Sequence, residues 1–384
     1  MSTIYGAVVA IRLWLYQSNI VKKRKVPCFV ISIGNIVAGG SGKTPMAIYV
    51  AEMVNSMGLN PVIVSRGYGG KIQRDSNKLS GCVVAGDGEQ VLSSPEIVGD
   101  EPFMMASRRS FPVVVGKDRF KAAMMSLDLF NSKGIDVIIL DDGFQHLRLK
   151  RDLDIVLMDC NRPLGNGCLL PAGRLRESPG KAIERADMII FTRYSGDESY
   201  QKVVNKYKTN KYKNVGNARY NNTGNAGKIA DKIFFTTSHR PFLYSFSGTN
   251  SDMVFTLEYL RGRKACLFSG IADNLSFRKT VQNLAISIKA HLEFNDHHMY
   301  KSEEISMILE TYHKSGADLM ITTEKDAARL GMDNFDRFKF DDGKTIDFAV
   351  IGIEIDFLDK QEEFKTFIKT KLQNKPLQHV KHNI

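Results

Sequence analysis

Gly39-Gly40-Ser41-Gly42-Lys43-Thr44 stands between a short apolar run at residues 29–33, trailed by Gly34-Asn35, and a helix-spaced stretch over 45–57. That stretch opens on Pro45, which suits a first helical turn. A glycine-rich turn between a strand and a helix is the setting of a phosphate-binding loop. Its glycines let successive N–H groups turn toward phosphate oxygens, Lys43 is placed for the β- and γ-phosphates, and the Thr44 hydroxyl for Mg²⁺. The positive end of the following helix adds to the attraction. The usual eight-residue pattern begins with Gly, whereas Val37 occupies that place here, so the loop reads Val37, Ala38, Gly39, Gly40, Ser41, Gly42, Lys43, Thr44. A glycine turn without a ligand is the competing reading, and the intact Gly-Lys-Thr in this setting disfavours it.

Working outward, short runs rich in Val and Ile recur at 62–65, 112–115, 137–140, 155–158 and 188–192. They lack strict alternation and are too short for helices, as expected of strands buried on both faces of a parallel sheet. An α/β fold follows, with a P-loop-type parallel sheet. Between Tyr194 and Thr237 the composition turns to Lys, Asn, Tyr, Gly and Thr, which reads as an exposed insertion or linker. A second α/β pattern comes after it: strands at 265–269, 292–294, 319–323 and 349–353, and helices at 275–288 and 303–312. The chain is thus expected to comprise a helix and basic collar (1–25), a P-loop core domain (26–240) and a second, smaller α/β domain (241–384).

The 384 residues are 43% hydrophobic and 25% charged, a globular composition that excludes collagen-like and wholly disordered chains. Fifty-three Lys and Arg against 42 Asp and Glu leave a net charge of +11. That excess favours a polyanionic neighbour (nucleic acid, an anionic membrane surface or a phosphorylated substrate) or simply solubility. The five cysteines, Cys28, Cys82, Cys160, Cys168 and Cys266, include no C-x-x-C pair. Plain buried or half-buried thiols in a reducing compartment are expected. Residues 4–16 are apolar except for Arg12 and are followed by Lys22-Lys23-Arg24-Lys25. The charges trail the apolar run, unlike those of a signal peptide, and the run is short for a bilayer span of roughly 20 residues. Ile4, Val8, Ile11 and Leu15 recur at helical spacing, which suggests an interfacial helix on an anionic leaflet. A first helix packed on the domain core is the alternative.

Asp141-Asp142 ends the run at 137–140. An acid at the carboxyl end of a strand beside a phosphate loop can hold Mg²⁺ directly or through water. Adjacent like charges also favour a balancing cation. Asp100-Glu101-Pro102 precedes another helical stretch, where N-capping by itself explains the acids. Asn295-Asp296-His297-His298 follows a strand; one functional imidazole and a surface loop explain the pair about equally well. Arg66, Lys117, Arg119, Arg174 and Arg176 lie in segments that could surround an anion or be solvated turns. In Thr322-Thr323-Glu324-Lys325-Asp326 the Lys and Asp are adjacent, which does not fit a guanine-specificity loop.

In chain order, Ser32-Ile33-Gly34-Asn35 running into GGSGKTP, then SRGYGG (65–70), VGDEP (98–102), VVVGKDR (113–119), LDDGFQH (140–146), GNGCLLPAGRLRE (165–177), FSGIAD (268–273), DHHMY (296–300) and ITTEKDAARL (321–330) resemble the tetraacyldisaccharide 4'-kinases. The resemblance covers about residues 4–355. It implies a membrane-associated kinase that transfers the γ-phosphoryl of ATP to the 4'-hydroxyl of a tetraacyl disaccharide 1-phosphate. It further implies two α/β domains joined by a β-ribbon, and a peripheral place on the cytoplasmic face of the bacterial inner membrane. An Asp–His pair for deprotonating the sugar hydroxyl carries over to Asp100 and His297. Glu101, Asp141 and Asp142 carry over to the Mg²⁺–ATP shell, with Glu177 a further candidate. The sequence departs from the family in FSGIADNLSF, where Pro commonly follows the Asn, and in PAGRL, where Pro often replaces Arg174; both lie near substrate-facing loops. A monomer with no nucleic-acid partner is expected.

Two other classes compete. A membrane-bound nucleotide switch or partitioning ATPase also needs a phosphate loop and an amphipathic anchor. That class often carries a second Lys five places before the invariant one, where Ala38 stands here. A nucleic-acid-binding ATPase is motivated only by the net charge, without aromatic stacking platforms or basic stripes.

Overall fold

The computed structural model describes residues 1–71, 81–196, 199–208, 233–247, 255–331 and 346–374. Among the described residues, eight strands form one sheet. They are β1 (Phe29–Asn35), β2 (Pro61–Ser65), β3 (Cys82–Asp87), β4 (Pro112–Gly116), β5 (Val137–Asp141), β6 (Leu153–Asp159), β7 (Met188–Thr192) and β8 (Ile233–Thr236). Their order is β3-β4-β2-β5-β1-β6-β7-β8, parallel throughout except for β3 against β4. Strands β1, β2, β4, β5 and β7 are buried at every position, which is why they read as unbroken apolar runs rather than alternating ones. β1 has β5 on one side and β6 on the other, and its carboxyl end feeds the glycine loop. Ligands bind open α/β sheets at such a place, outside the carboxyl ends where strand order reverses.

The helix after the loop, α2 (Lys43–Ser56), begins two residues before the expected 45–57 and buries Met46, Ala47, Val50, Ala51 and Val54 on the sheet. In the chain order that follows come α3 (Pro95–Val98), α4 (Asp100–Ala106), α5 (Arg119–Leu129), α6 (Pro179–Arg185) and α7 (Ser199–Lys208). The N-terminal helix is α1 (Ser2–Gln17). Both α7 and β8 lie within the segment expected to be an exposed insertion. Phe235 of β8 is buried in the core, so that end of the segment is part of the sheet. Residues 197–198 and 209–232 of it lie outside the described residues.

The second sheet, in order β11-β10-β12-β13-β9, holds β9 (Ser238–Ser247), β10 (Lys264–Ser269), β11 (Ser287–Glu293), β12 (Leu319–Thr323) and β13 (Phe348–Asp356). The helix expected over 275–288 is shorter: α8 (Asn274–Asn283) stops at Leu284, and residues from Ser287 extend as β11. Ala285, at φ +57, makes the break. α9 (Ser302–Ser315) and α10 (Glu324–Leu330) complete the layer. β13 continues past its pairing with β12, so that Gly352–Asp356 pairs with Ser238–Phe242 of β9 alone. This two-stranded antiparallel ribbon runs between the two sheets.

α11 (Gln361–Gln373) departs from the expectation that 241–384 forms one domain. Its Phe364, Ile368 and Leu372 enter the same core as Met46, Val50 and Phe235 of the large sheet. Burying such side chains contributes about 1.5–3 kcal/mol each, enough to hold the tail helix there. All five cysteines are free thiols, four buried and Cys168 exposed, the last contrary to the burial expected of all five.

Candidate active site

The phosphate loop is braced from beneath by Asn35. Its Nδ2 donates to the carbonyl of Val37 at 2.6 Å, to that of Gly39 at 3.3 Å and to Ser41 Oγ at 2.8 Å. Thr192 Oγ1, from the end of β7, donates to the Ser41 carbonyl at 3.1 Å. Gly42 precedes α2 at φ +78, a left-handed conformation that a side chain would strain. Thr44 is buried at the first turn of α2. The leading residues of the expected loop behave differently. Val37 bridges to Leu175, and the Ala38 N–H donates to the Arg174 carbonyl at 2.8 Å, so this amide is spent on the 165–177 segment.

Lys43 Nζ lies 3.9 Å from Asp142 Oδ1, joining the loop to the end of β5. Arg176 holds the same carboxylate at 2.8 and 3.1 Å and reaches Gln145 Oε1 at 3.2 Å. Gln145 Nε2 bonds Glu177, whose carboxylate is clasped by Arg185 at 2.8 and 3.0 Å. Glu177 is therefore a buried brace beneath the segment rather than a free ligand. Asp141 is buried as well. Ser65 donates to its Oδ2 at 3.0 Å, while its Oδ1 has no hydrogen-bond partner among the described residues. Burial, helped by the negative charges of Glu101 and Asp142, pushes its carboxyl up to about 7.

Asp100 and Glu101 open α4, where Gly99 occupies the cap position and no side chain caps the helix. Asp100 is thus free of the capping role that the sequence allowed it. Gly99 sits at φ +90, and a Cβ there would collide with the Tyr68 carbonyl, so the SRGYGG segment is pressed against the start of α4. Asp100 Oδ2 lies 3.0 Å from Nδ1 of His297, which comes from the second sheet unit. Burial opposes the charge on Asp100, but His297 and Arg329 outweigh it and hold the carboxyl below its usual range. His297 rises in turn through its hydrogen bond to Asp100. Glu101 Oε1 meets Lys325 Nζ at 2.6 Å, and this ammonium lowers the carboxyl to about 2.

The described residues contain no group of three His, Cys, Asp or Glu side chains set to hold a metal ion by themselves.

A family model described as tetraacyldisaccharide-1-P 4'-kinase (LpxK) matches residues 1–373. The chain belongs to the tetraacyldisaccharide-1-P 4'-kinase family. It is 37% identical over 381 residues to the tetraacyldisaccharide 4'-kinase of Desulfatibacillum aliphaticivorans, covering 97% of this chain and 91% of the relative. It is 38% identical over 338 residues to that of Syntrophus aciditrophicus (strain SB), covering 86% and 82%. A crystal structure of LpxK from Aquifex aeolicus in complex with ATP superposes with a TM-score of 0.67 at 28% identity, covering 97% of each chain.

Within this tetraacyldisaccharide-1-P 4'-kinase family member, two residues escaped the reading of the sequence. Lys325 and Arg329 project from α10 onto the acids of α4, Arg329 Nε reaching Asp100 Oδ2 at 2.7 Å. Their i, i+4 spacing places both on one helix face and was a signal available in ITTEKDAARL. No helix among the described residues is long and apolar enough to cross a membrane.

Proposed function

We propose that this protein transfers the γ-phosphoryl group of ATP to the 4'-hydroxyl of a tetraacyl disaccharide 1-phosphate at the cytoplasmic face of the bacterial inner membrane. The observation that carries the reading is that Lys43 lies beside Asp142, that Glu101 of α4 feels the charges of Lys43 and Asp141, and that its neighbour Asp100 meets His297 from the second unit. Membership in the kinase family supplies the substrate class. The phosphate loop from Gly39 to Thr44 binds the nucleotide, and Lys43 meets the β- and γ-phosphates as a point charge. Thr44, Asp141, Asp142 and Glu101 are the groups that would hold Mg²⁺. The orphaned, buried Asp141 Oδ1 and the mutual repulsion of these acids fit a divalent cation. Mg²⁺, when bound, supplies charge neutralisation on the phosphates.

Asp100 and His297 take up and stabilise the hydroxyl proton as the sugar oxygen attacks the γ-phosphorus, with ADP as the leaving group. Asp100 comes from the large-sheet unit and His297 from the second, so the pair exists only where the two units meet. α1 presents Ile4, Val8, Ile11 and Trp14 outward, an apolar row that supports a peripheral seat on an anionic leaflet beside its acylated substrate. The chain acts as a monomer. The reading is tested by incubating the purified chain with Mg²⁺–ATP and an acylated disaccharide 1-phosphate. ADP should form in step with a new phosphate monoester, located at the 4' position by ³¹P NMR. ADP formation indifferent to the lipid would favour the nucleotide-switch reading instead.

A further inference from the structure

We propose that Arg329 is a positioning residue for phosphoryl transfer, its guanidinium fixing the Asp100 carboxylate in the orientation that faces His297. The proposal rests on the reading of Asp100 and His297 as the pair that handles the hydroxyl proton. Arg329 Nε donates to Asp100 Oδ2 at 2.7 Å, and that same oxygen lies 3.0 Å from His297 Nδ1. Arg329 Nη1 donates to the Gly270 carbonyl at 2.6 Å and to Asp326 Oδ1 at 2.8 Å. The Gly270 carbonyl also accepts the His297 backbone N–H at 3.2 Å, where His297 sits at φ +61. One guanidinium therefore ties the carboxylate of the first residue to the backbone of the second.

The anchor behind it is itself held. Asp326 accepts the Tyr300 hydroxyl at 2.9 Å and the Gly270 N–H at 3.1 Å on Oδ1, and the Thr323 hydroxyl at 2.6 Å on Oδ2. Arg329 and Asp326 are 0% exposed in their side chains, whereas the His297 side chain is 40% exposed. A half-exposed imidazole on one hydrogen bond does not by itself fix a carboxylate rotor; a buried planar fork with a fixed base does. Docking of α4 on α10 does not depend on Arg329 alone. Glu101–Lys325 at 2.6 Å and Arg108–Glu324 at 2.9 Å cross the same contact.

The test uses the full chain and four variants: Arg329→Lys, Asp326→Asn, Asp100→Asn and the Arg329→Lys/Asp100→Asn double. Lysine keeps the buried positive charge but cannot reach Asp100, Gly270 and Asp326 at once. Misplacing a reacting group by about 1 Å costs on the order of 10²-fold, so Arg329→Lys should lower kcat by roughly 10- to 100-fold. The KM for ATP should stay within about twofold, because the phosphate loop is untouched. Asp326→Asn should lower kcat by a smaller factor, again with little change in KM, and the double variant should turn over no more slowly than Asp100→Asn. Wild-type kcat in Arg329→Lys, or multiplied losses in the double, would overturn the proposal. Should Arg329→Lys fail to fold, Asp326→Asn decides: a loss confined to kcat supports the positioning role, and unchanged kcat overturns it. Wild-type turnover in Asp100→Asn would instead overturn the underlying reading of the pair.

Discussion

Asp100 and His297 stand 197 positions apart in the chain and meet at 3.0 Å, one carried by the helix that opens after Gly99 and the other by the loop after β11. Neither partner is oriented by its own unit alone. On the proposed reading of the pair, a catalytic group split in this way would be complete only when both units are in place around the substrates, which would limit hydrolysis of ATP without an acceptor.

If the two side chains work as one, Asp100→Ala and His297→Ala should each depress kcat on the order of 10²–10⁴-fold. The double variant should be little worse than the poorer single. Rates measured at saturating ATP and lipid check this. Fully multiplicative losses would give His297 an independent role.

Lys43→Ala should reduce turnover on the order of 10²–10³-fold, since the transferred phosphoryl group loses a preorganised charge. The fold should persist: Lys43 heads α2 with its ammonium 3.9 Å from Asp142, while Asp142 retains Arg176 at 2.8 Å. Circular dichroism and the melting temperature report the second point, and turnover near wild type would remove the loop from the mechanism.

The large sheet was legible because parallel strands buried on both faces write themselves as unbroken runs such as Val137–Asp141. β3 was missed because Cys82–Asp87 ends in Ala-Gly-Asp and pairs only at an edge. β9 is half-exposed along its length and includes Pro241, so periodicity passed over it. In α11 the spacing of Phe364, Ile368 and Leu372 is helical, but nothing in it tells that the face is buried on the large sheet of the other unit. Among site residues, Asp141 and Asp142 follow from strand-end chemistry, whereas the meeting of Asp100 with His297 came only from the family resemblance. Spacing along a chain does not encode which loops of two units face each other. Lys325 and Arg329 illustrate the same limit, for a helix face announces charges but not the acids they will meet.

Asp141 makes stability depend on pH in a definite direction. Its folded-state carboxyl, pushed up to about 7, lies above the unfolded value of 3.8. The group favours the fold fully below about pH 4, and that contribution is lost as pH rises toward and through 7. Between pH 4 and pH 8 the protein without nucleotide should lose on the order of 2–4 kcal/mol on this account. Asp141→Asn removes the titration. Urea unfolding at the two pH values should therefore show a smaller drop in the variant than in the wild type. Parallel losses in the two proteins would show that Asp141 carries no such burden.

The surface of α1 offers the remaining prediction. Tyr5 donates its hydroxyl to the Arg176 carbonyl at 3.0 Å and Leu13 is buried, so one face of the helix is docked beside the segment that holds Asp142. The other face leaves Ile4, Val8, Ile11 and Trp14 exposed at 71, 59, 58 and 58%. Deleting the helix would disturb both faces at once, so the informative change is Ile4→Asn, Val8→Asn and Ile11→Asn together. Binding to an interface scales with buried apolar area, and losing three aliphatic side chains should weaken sedimentation with phosphatidylglycerol-containing vesicles by at least about tenfold. The melting temperature and the KM for ATP should hold, because Tyr5 and Leu13 remain docked. Activity toward lipid presented in vesicles should fall more than activity toward lipid dispersed in detergent. Unchanged sedimentation would show that the apolar row does not seat the protein on the membrane.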